Sequence, residues 1–173
     1  MAFHFTPAYE LLEDLSANKL SSADLMKSTI GRIWDVNDEV NAIVSLREEQ
    51  DLLEDAAAAD LLHMDQRGAL HGIPIAIKDL ANAKGILTTE GSPIYANRIA
   101  QEDDLIVERI RKAGAIIIGK TNTPEFGLGS HTYNPIFGTT LNPYDLTRSA
   151  GGSSGGAAVS LATGMLSIAD GSD

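Results

Sequence analysis

The chain has 173 residues, of which 43% are hydrophobic and 21% are charged, and its 13 basic and 24 acidic side chains give a formal net charge of −11. These values predict one soluble globular domain, residues 1–173, that is large enough to bury a core. Disulfides are excluded because the sequence has no cysteine, and scattered Lys and Arg residues in an acidic chain predict no nucleic-acid interface.

The opening residues have no basic stretch followed by an apolar one, and no run approaches the ~18 apolar residues of a membrane span. We therefore expect a cytoplasmic protein without a membrane partner. Residues 1–70 predict a helical outer layer that begins with a short amphipathic helix from Tyr9 to Leu15. Ser21 starts a second helix. Its apolar face is expected to hold Leu25, Ile30 and either Ile33 or Trp34.

An acid-rich third helix is predicted from Leu46 to Gln66, with Gly68 as its C-terminal stop and its acidic face in solvent. Trp34 is expected to contact the core rather than to serve as a stacking platform. From His71 onward the composition changes to short β-rich runs separated by Gly and Pro. Residues 71–173 are therefore predicted to supply the sheet and the catalytic loop.

The run from His71 to Asp79 alternates like a strand, with its isoleucines on one face and Lys78 on the other. A helix then begins at Asp103 or Asp104 and ends at Gly114, and the apolar residues 115–118 predict a strand covered on both sides. Strand, helix and strand in this order predict a parallel or mixed sheet. The predicted fold class is α/β, a mixed sheet flanked by helices that is incomplete in this chain.

Three further elements complete the prediction. Residues Gly127 to Arg148 are rich in Gly, Asn, Pro and Thr, which predicts a long, ordered, functional loop. A helix of small residues is expected from Gly155 to Gly164, and a strand from Met165 to Ala169.

Lys78 is a candidate functional residue because it lies on an otherwise apolar strand. An ammonium is costly to bury, so such a lysine reaches water, pairs with an acid, or loses its proton and becomes a general base. The ordinary alternative is a lysine at a strand end that extends to solvent or forms a salt bridge. Asp79 is adjacent but points to the opposite face. The strand alone leaves these alternatives open.

The second candidate is the run Gly-Gly-Ser-Ser-Gly-Gly at residues 151–156. It lacks the Lys-Ser or Lys-Thr of a phosphate loop and the glycine spacing of a dinucleotide fingerprint. It contains Gly-x-Ser-x-Gly twice, centred on Ser153 and Ser154, but a nucleophile elbow needs a preceding strand and Asn142 to Arg148 predict a turn-rich loop. The structural alternative is a flexible helix-capping loop whose amides are available to an anion.

Four segments in order resemble the amidase signature family: Gly72–Asp79, Gly119–Gly127, Gly138–Pro143 and Gly151–Gly156. Each is weak alone, but the ordered set is specific, and the resemblance runs the whole length of the chain. It implies a large mixed sheet flanked by helices and cleavage of a small-molecule amide by a Ser-Ser-Lys triad. No cofactor is implied, and the four histidines lack the spacing of a metal site.

By this resemblance Lys78 is the base, and Ser153, after a cis peptide bond that follows Gly152, is the bridging member. Ser154 supports the lysine by hydrogen bonding. The predicted substrate-binding residues are Gly129, Ser130, Gly151 and Gly152.

The family continues after Gly-Ser-Asp with any residue, Gly, Gly and Ser, whereas this sequence stops at Asp173. The resemblance therefore implies that the nucleophilic serine and the oxyanion-hole amides lie beyond Asp173, and that the chain alone is inactive. Two alternatives remain. One is a non-catalytic module that binds an amide, a carboxylate or a partner chain. The other is a fragment that self-associates or binds a complementary C-terminal chain, because a strand near Leu166 would leave an unpaired edge.

Overall fold

Two parallel strands form the centre of the fold, β1 at Pro74–Lys78 and β2 at Ile116–Thr121, and every residue of both is buried. The computed structural model describes residues 3–172. The register pairs Pro74 with Ile116 and Lys78 with Thr121, and it shifts after Ile75 because β2 carries one extra residue. Burial on both faces explains why these strands are rich in isoleucine and carry so few polar residues.

Five helices surround this pair: α1 (Ala8–Ser16), α2 (Ser22–Val40), α3 (Glu49–Asp60), α4 (Leu105–Lys112) and α5 (Gly155–Ala162). Single 3₁₀ turns lie at Met64–Gln66, Pro93–Tyr95 and Glu125–Gly127. Two short antiparallel pairs follow β2: β3 (Tyr133–Asn134) with β4 (Gly138–Thr139), and β5 (Leu141–Asn142) with β6 (Asp145–Ser149). The fold is mixed α/β, as the sequence predicts.

The alternation of β1 divides the core in two. Ile73, Ile75 and Ile77 pack with α1 and with Val107 of α4 in one cluster, whereas Ala76 lies in a second cluster with residues of α2, α3 and α5. Each face of the strand is therefore covered by helices. This arrangement confirms the predicted alternation.

The predicted starts of α2 and α4 are also confirmed. The side chain of Ser21 accepts a hydrogen bond from the Asp24 amide and so caps α2. Asp104 precedes α4, and Gly114 follows it with a φ of +91°, in the region that favours glycine. The helix and the strands on either side of it form the predicted strand–helix–strand unit with parallel pairing.

The prediction for the third helix is wrong in extent, because α3 covers only Glu49–Asp60. Leu61 and Leu62 continue the apolar pattern but are exposed, so no burial holds them in a helix. Gly68 is not a helix stop; an added Cβ there would lie 2.3 Å from the Ala113 carbonyl oxygen. The prediction for Trp34 is also wrong: Trp34 is 62% exposed, and its neighbour Ile33 takes the core position.

Two predictions after residue 126 need correction. The long loop contains the four short strands β3 to β6, and β6 places a strand before the glycine run, where the sequence predicts a turn-rich loop. Residues Met165 to Ala169 form no strand. The amides of Met165 and Leu166 donate instead to the carbonyl of Ser160 at the end of α5, so they are not available to a sheet. Within residues 3–172, no helix has the length and apolar character needed to cross a bilayer.

Candidate active site

Lys78, at the carboxyl end of β1, extends its side chain into the protein and is only 2% exposed. Its Nζ donates to the hydroxyls of Ser153 at 2.7 Å, Ser154 at 3.0 Å and Ser172 at 2.9 Å. The lysine thus does not extend to solvent, which removes one of the alternatives that the sequence left open. One buried amine meets three hydroxyls from two separate segments of the chain.

The serine pair lies in the turn that leads into α5. Gly151 has a φ of +78°, and the peptide bond between Gly152 and Ser153 is cis, as the resemblance implies. Ser154 occupies the N-cap position of α5, yet its side chain makes no capping hydrogen bond. Its hydroxyl is used elsewhere, because it contacts Lys78 and Ser172.

Ser172 closes the site from the other side. The Ser154 hydroxyl donates to the Ser172 carbonyl at 3.0 Å, and the Ser172 amide donates to the Ser154 hydroxyl at 3.1 Å. A surface cavity of about 380 Å³ opens beside these groups. Its lining residues are Ala150, Gly152, Ser153, Ser154, Gly155, Ala158 and Ser172. A small molecule that entered this cavity would therefore meet the serine hydroxyls.

The predicted substrate-binding residues occupy two neighbouring segments. Gly152 lines the cavity. Gly151 adjoins the loop of Gly129 and Ser130, since a Cβ at Gly151 would lie 3.8 Å from the Ser130 carbonyl oxygen. Ser130 is exposed and Gly129 has a φ of +125°. The structure thus brings Lys78 and the two serines into direct contact, and it places residues 129–130 alongside the glycine run but outside the cavity lining.

Three further ionisable groups, two carboxylates and a second lysine, are buried or half-buried in this part of the fold. The Asp170 carboxylate accepts a hydrogen bond of 2.7 Å from the backbone amide of Lys78, and burial raises the pKa of Asp170. Asp79 accepts bonds from the amide and the hydroxyl of Thr89, yet burial also raises the pKa of Asp79. On β2, Lys120 is fully buried and donates to the Ala81 carbonyl.

Burial lowers the pKa of Lys120 to about 8, although Asp79, Asp170 and Asp104 all oppose that shift. The pKa values of Asp79 and Asp170 rise and that of Lys120 falls, which means that desolvation outweighs the attraction among these three groups. Among residues 3–172, no three His, Cys, Asp or Glu side chains lie close enough to hold a metal ion.

Sequence reasoning missed three groups at this site. Asp170 lies 92 residues from Lys78 in the chain, and nothing in its own segment marks it. Ser172 belongs to the Gly-Ser-Asp motif. By resemblance this motif predicts the nucleophilic serine beyond Asp173, but it does not predict that Ser172 itself contacts Lys78. Thr132 lies in the predicted functional loop, and its hydroxyl accepts a hydrogen bond from the Gly155 amide.

The amidase family model matches residues 24–173. Among curated proteins, a subunit of the glutamyl-tRNA(Gln) amidotransferase of Desulfatibacillum aliphaticivorans is 42% identical over 174 residues, which cover 100% of this chain and 36% of that protein. An acylamidase of Rhodococcus erythropolis is 41% identical over 172 residues, covering 98% of this chain and 36% of that protein.

Solved structures of related proteins are also similar to this chain over about a third of their length. The peptide amidase of Stenotrophomonas maltophilia superposes with a TM-score of 0.87 at 33% identity, covering 96% of this chain and 36% of that one. The corresponding glutamyl-tRNA(Gln) amidotransferase subunit of Thermotoga maritima superposes with a TM-score of 0.79 at 32% identity, covering 98% of this chain and 34% of that one. The chain thus spans about a third of the length of the relatives that it matches.

Proposed function

The chain belongs to the amidase family, and from this we propose that the protein that contains it hydrolyses the carbon–nitrogen bond of a small-molecule amide, with Lys78 as the base and Ser153 as the bridging residue. The observation that carries the proposal is the contact of the buried Lys78 Nζ with the Ser153 hydroxyl at 2.7 Å. A buried amine in hydrogen-bond reach of a hydroxyl can accept its proton when the amine is neutral.

The chemistry runs as a relay. Neutral Lys78 takes the proton of Ser153, and Ser153 takes the proton of a nucleophilic serine supplied by polypeptide beyond Asp173. The serine oxygen attacks the amide carbonyl carbon, the carbon–nitrogen bond breaks, and the same relay returns a proton to the leaving amine. Water then hydrolyses the acyl-enzyme and frees the acid. Ser154, in contact with the same Nζ at 3.0 Å, supports the lysine.

The same proposal makes residues 1–173 inactive alone. A complementary polypeptide, either the continuation of this chain or a second chain, supplies the nucleophile and most of the substrate pocket. The curated relatives include a protein named as a subunit of an amidotransferase, which supports a partner chain. We propose Gly129, Ser130, Gly151 and Gly152 as residues on the substrate side of the site. Gly152 lines the cavity, and Gly151, which precedes it, lies next to the Ser130 carbonyl.

The test compares amide hydrolysis by the natural protein that contains this sequence with hydrolysis by its Lys78→Ala and Ser153→Ala variants. Both variants are expected to lose activity by at least about 10²-fold, the lower end of what acid–base catalysis contributes. Ser16→Ala, which changes an exposed serine on α1, serves as the matched control and should keep full activity. Turnover that survives Lys78→Ala would refute the relay.

A fluorophosphonate probe, which labels an activated serine, separates the proposal from the elbow hypothesis. The proposal predicts that residues 1–173 alone take no label and hydrolyse no amide. Labelling of this piece that is abolished by Ser154→Ala would instead assign the nucleophile to the glycine run.

A further inference from the structure

Thr132 contacts the serine pair on both of its sides. It is fully buried, and its hydroxyl oxygen accepts a hydrogen bond of 3.0 Å from the Gly155 amide, which follows the pair. Its amide donates to the Gly151 carbonyl at 2.8 Å, before the pair. Its hydroxyl also lies within 3.4 Å of the Ser153 carbonyl oxygen, to which it donates. One side chain and its own amide thus fix three points of the turn.

The first amides of α5 have partners outside the helix, although the N-cap serine makes no capping hydrogen bond. The hydroxyl of a serine at this position ordinarily accepts a hydrogen bond from the amide of the second or third helical residue. Here the Gly155 amide donates to Thr132, and the Gly156 amide donates to the Asn122 carbonyl at 3.3 Å. The Ser154 hydroxyl bonds Lys78 and Ser172 instead. Contacts from outside the helix, that of Thr132 among them, therefore leave the Ser154 hydroxyl available to the site.

Thr132 also accounts for two glycines of the motif. A Cβ added at Gly155 would lie 2.3 Å from the Thr132 hydroxyl oxygen, and one at Gly152 would lie 2.8 Å from the same atom. The threonine cannot retreat easily, because it is β-branched and its carbonyl accepts a hydrogen bond of 2.9 Å from the Thr140 amide. The turn packs so closely on Thr132 that only glycine fits on either side of the serines.

We propose that Thr132 is a positioning residue for the reaction: its hydroxyl and amide hold residues 151–155 in the conformation that directs Ser153 and Ser154 toward Lys78 Nζ. Thr132 is not among the residues that line the cavity, and its hydroxyl bonds the turn rather than the lysine amine, so it acts through the serines. The proposal rests on the function proposed above for Lys78 and Ser153.

The test uses the natural protein that contains this sequence and three variants. Thr132→Val removes the hydroxyl at nearly constant shape, and Thr132→Ser keeps it. Thr123→Val is the matched control, because the Thr123 hydroxyl is buried without a hydrogen-bond partner among residues 3–172. Misplacing a reacting group by about 1 Å costs on the order of 10²-fold. We therefore expect Thr132→Val to lower kcat by about that factor with KM nearly unchanged, whereas Thr132→Ser and Thr123→Val keep kcat.

A purely structural role would lower the Tm of Thr132→Val but leave its kcat equal to that of Thr123→Val, and that result would overturn the proposal. If Thr132→Val does not fold, Thr132→Ala and Thr132→Ser provide the comparison, since they differ by the hydroxyl alone. Crystal structures of the variants give a readout independent of activity. The distance from Lys78 Nζ to Ser153 Oγ should lengthen from 2.7 Å in Thr132→Val and stay unchanged in Thr132→Ser.

The crystallographic distance separates the two proposals. If the unmodified protein hydrolyses no amide, the proposed function fails, while the distance still decides the role of Thr132. If the protein is active and the distance and kcat are both insensitive to Thr132→Val, the positioning role fails and the proposed function stands.

Discussion

Replacing Lys120 by Met should remove the part of the pH dependence of the unfolding free energy that comes from titration of this buried amine. Burial lowers the pKa of Lys120 from its ordinary 10.5 to about 8. Between those values the unfolded chain holds the proton more tightly than the folded one, so the folded state gains stability as the pH rises. Below pH 8 the folded protein carries the full cost of a buried cation.

The size of the effect follows from linkage. A pKa that falls from 10.5 in the unfolded chain to about 8 in the folded protein corresponds to a destabilisation of the folded state by roughly 3 kcal/mol at about pH 7. At about pH 10 most of that cost has disappeared, which leaves a gain of about 2–3 kcal/mol between the two pH values. Lys120→Met lacks the titrating amine and should not show this gain, whatever it loses by leaving the Ala81 carbonyl without its donor.

The measurement is the free energy of unfolding in urea for both proteins at about pH 7 and about pH 10. Subtracting the two pH dependences cancels the exposed lysines and tyrosines that both proteins share. Lys112→Met, which removes a mostly exposed lysine at the end of α4, provides the control and should follow the unmodified protein. Parallel pH dependences for the unmodified protein and Lys120→Met would refute the reasoning, because they would mean that Lys120 titrates alike in both states.

The remaining predictions concern stability alone and are measured by the same urea unfolding at about pH 7. Ser21→Ala removes the cap of α2 and should cost about 1 kcal/mol; an unchanged midpoint would show that the cap contributes nothing. Gly31→Ala, with no atom within 4 Å of the new Cβ, should stabilise α2 by roughly 0.5–1 kcal/mol, whereas Gly156→Ala, whose Cβ would lie 2.3 Å from a backbone nitrogen, should destabilise. Equal effects of the two glycine changes would contradict the packing argument. Leu52→Ala opens a cavity beneath α3 and should cost about 2–5 kcal/mol, and a smaller loss would mean that the site collapses.

The elements that the sequence predicts well are those whose signals are local. The alternating isoleucines of β1, the Ser21 cap and the glycine after α4 each sit within a few residues of the structure that they specify. The strand predicted at Met165 to Ala169 fails because a short apolar run does not reveal its hydrogen-bond partner. The first two amides of this run, those of Met165 and Leu166, donate to the Ser160 carbonyl, and this pairing depends on how α5 ends.

In the candidate site, too, residues with local sequence signals are predicted and residues that act through distant contacts are missed. Lys78 and the serine pair stand out by residue type and by resemblance, and the structure brings both serine hydroxyls within 3.0 Å of the lysine amine. Asp170 and Thr132 act through contacts between distant parts of the chain, and a carboxylate or a threonine in a loop carries no local mark of such a contact. Long-range hydrogen bonds of this kind are visible only once the fold has placed both partners.

The extra residue in β2 has a consequence for redesign. Ile75 pairs with Ile117 and Ala76 pairs with Gly119, so Ile118 has no pairing partner in β1. Deleting Ile118 would regularise the ladder and leave the later pairs of β2, such as Lys120 with Ile77, in their present register. Lys120 would then keep its side of the sheet and the carboxylates that surround it. The extra residue therefore adds an apolar side chain to the core on the Ala76 side of the sheet, and an engineer who straightened the strand would lose that packing without moving the second buried amine.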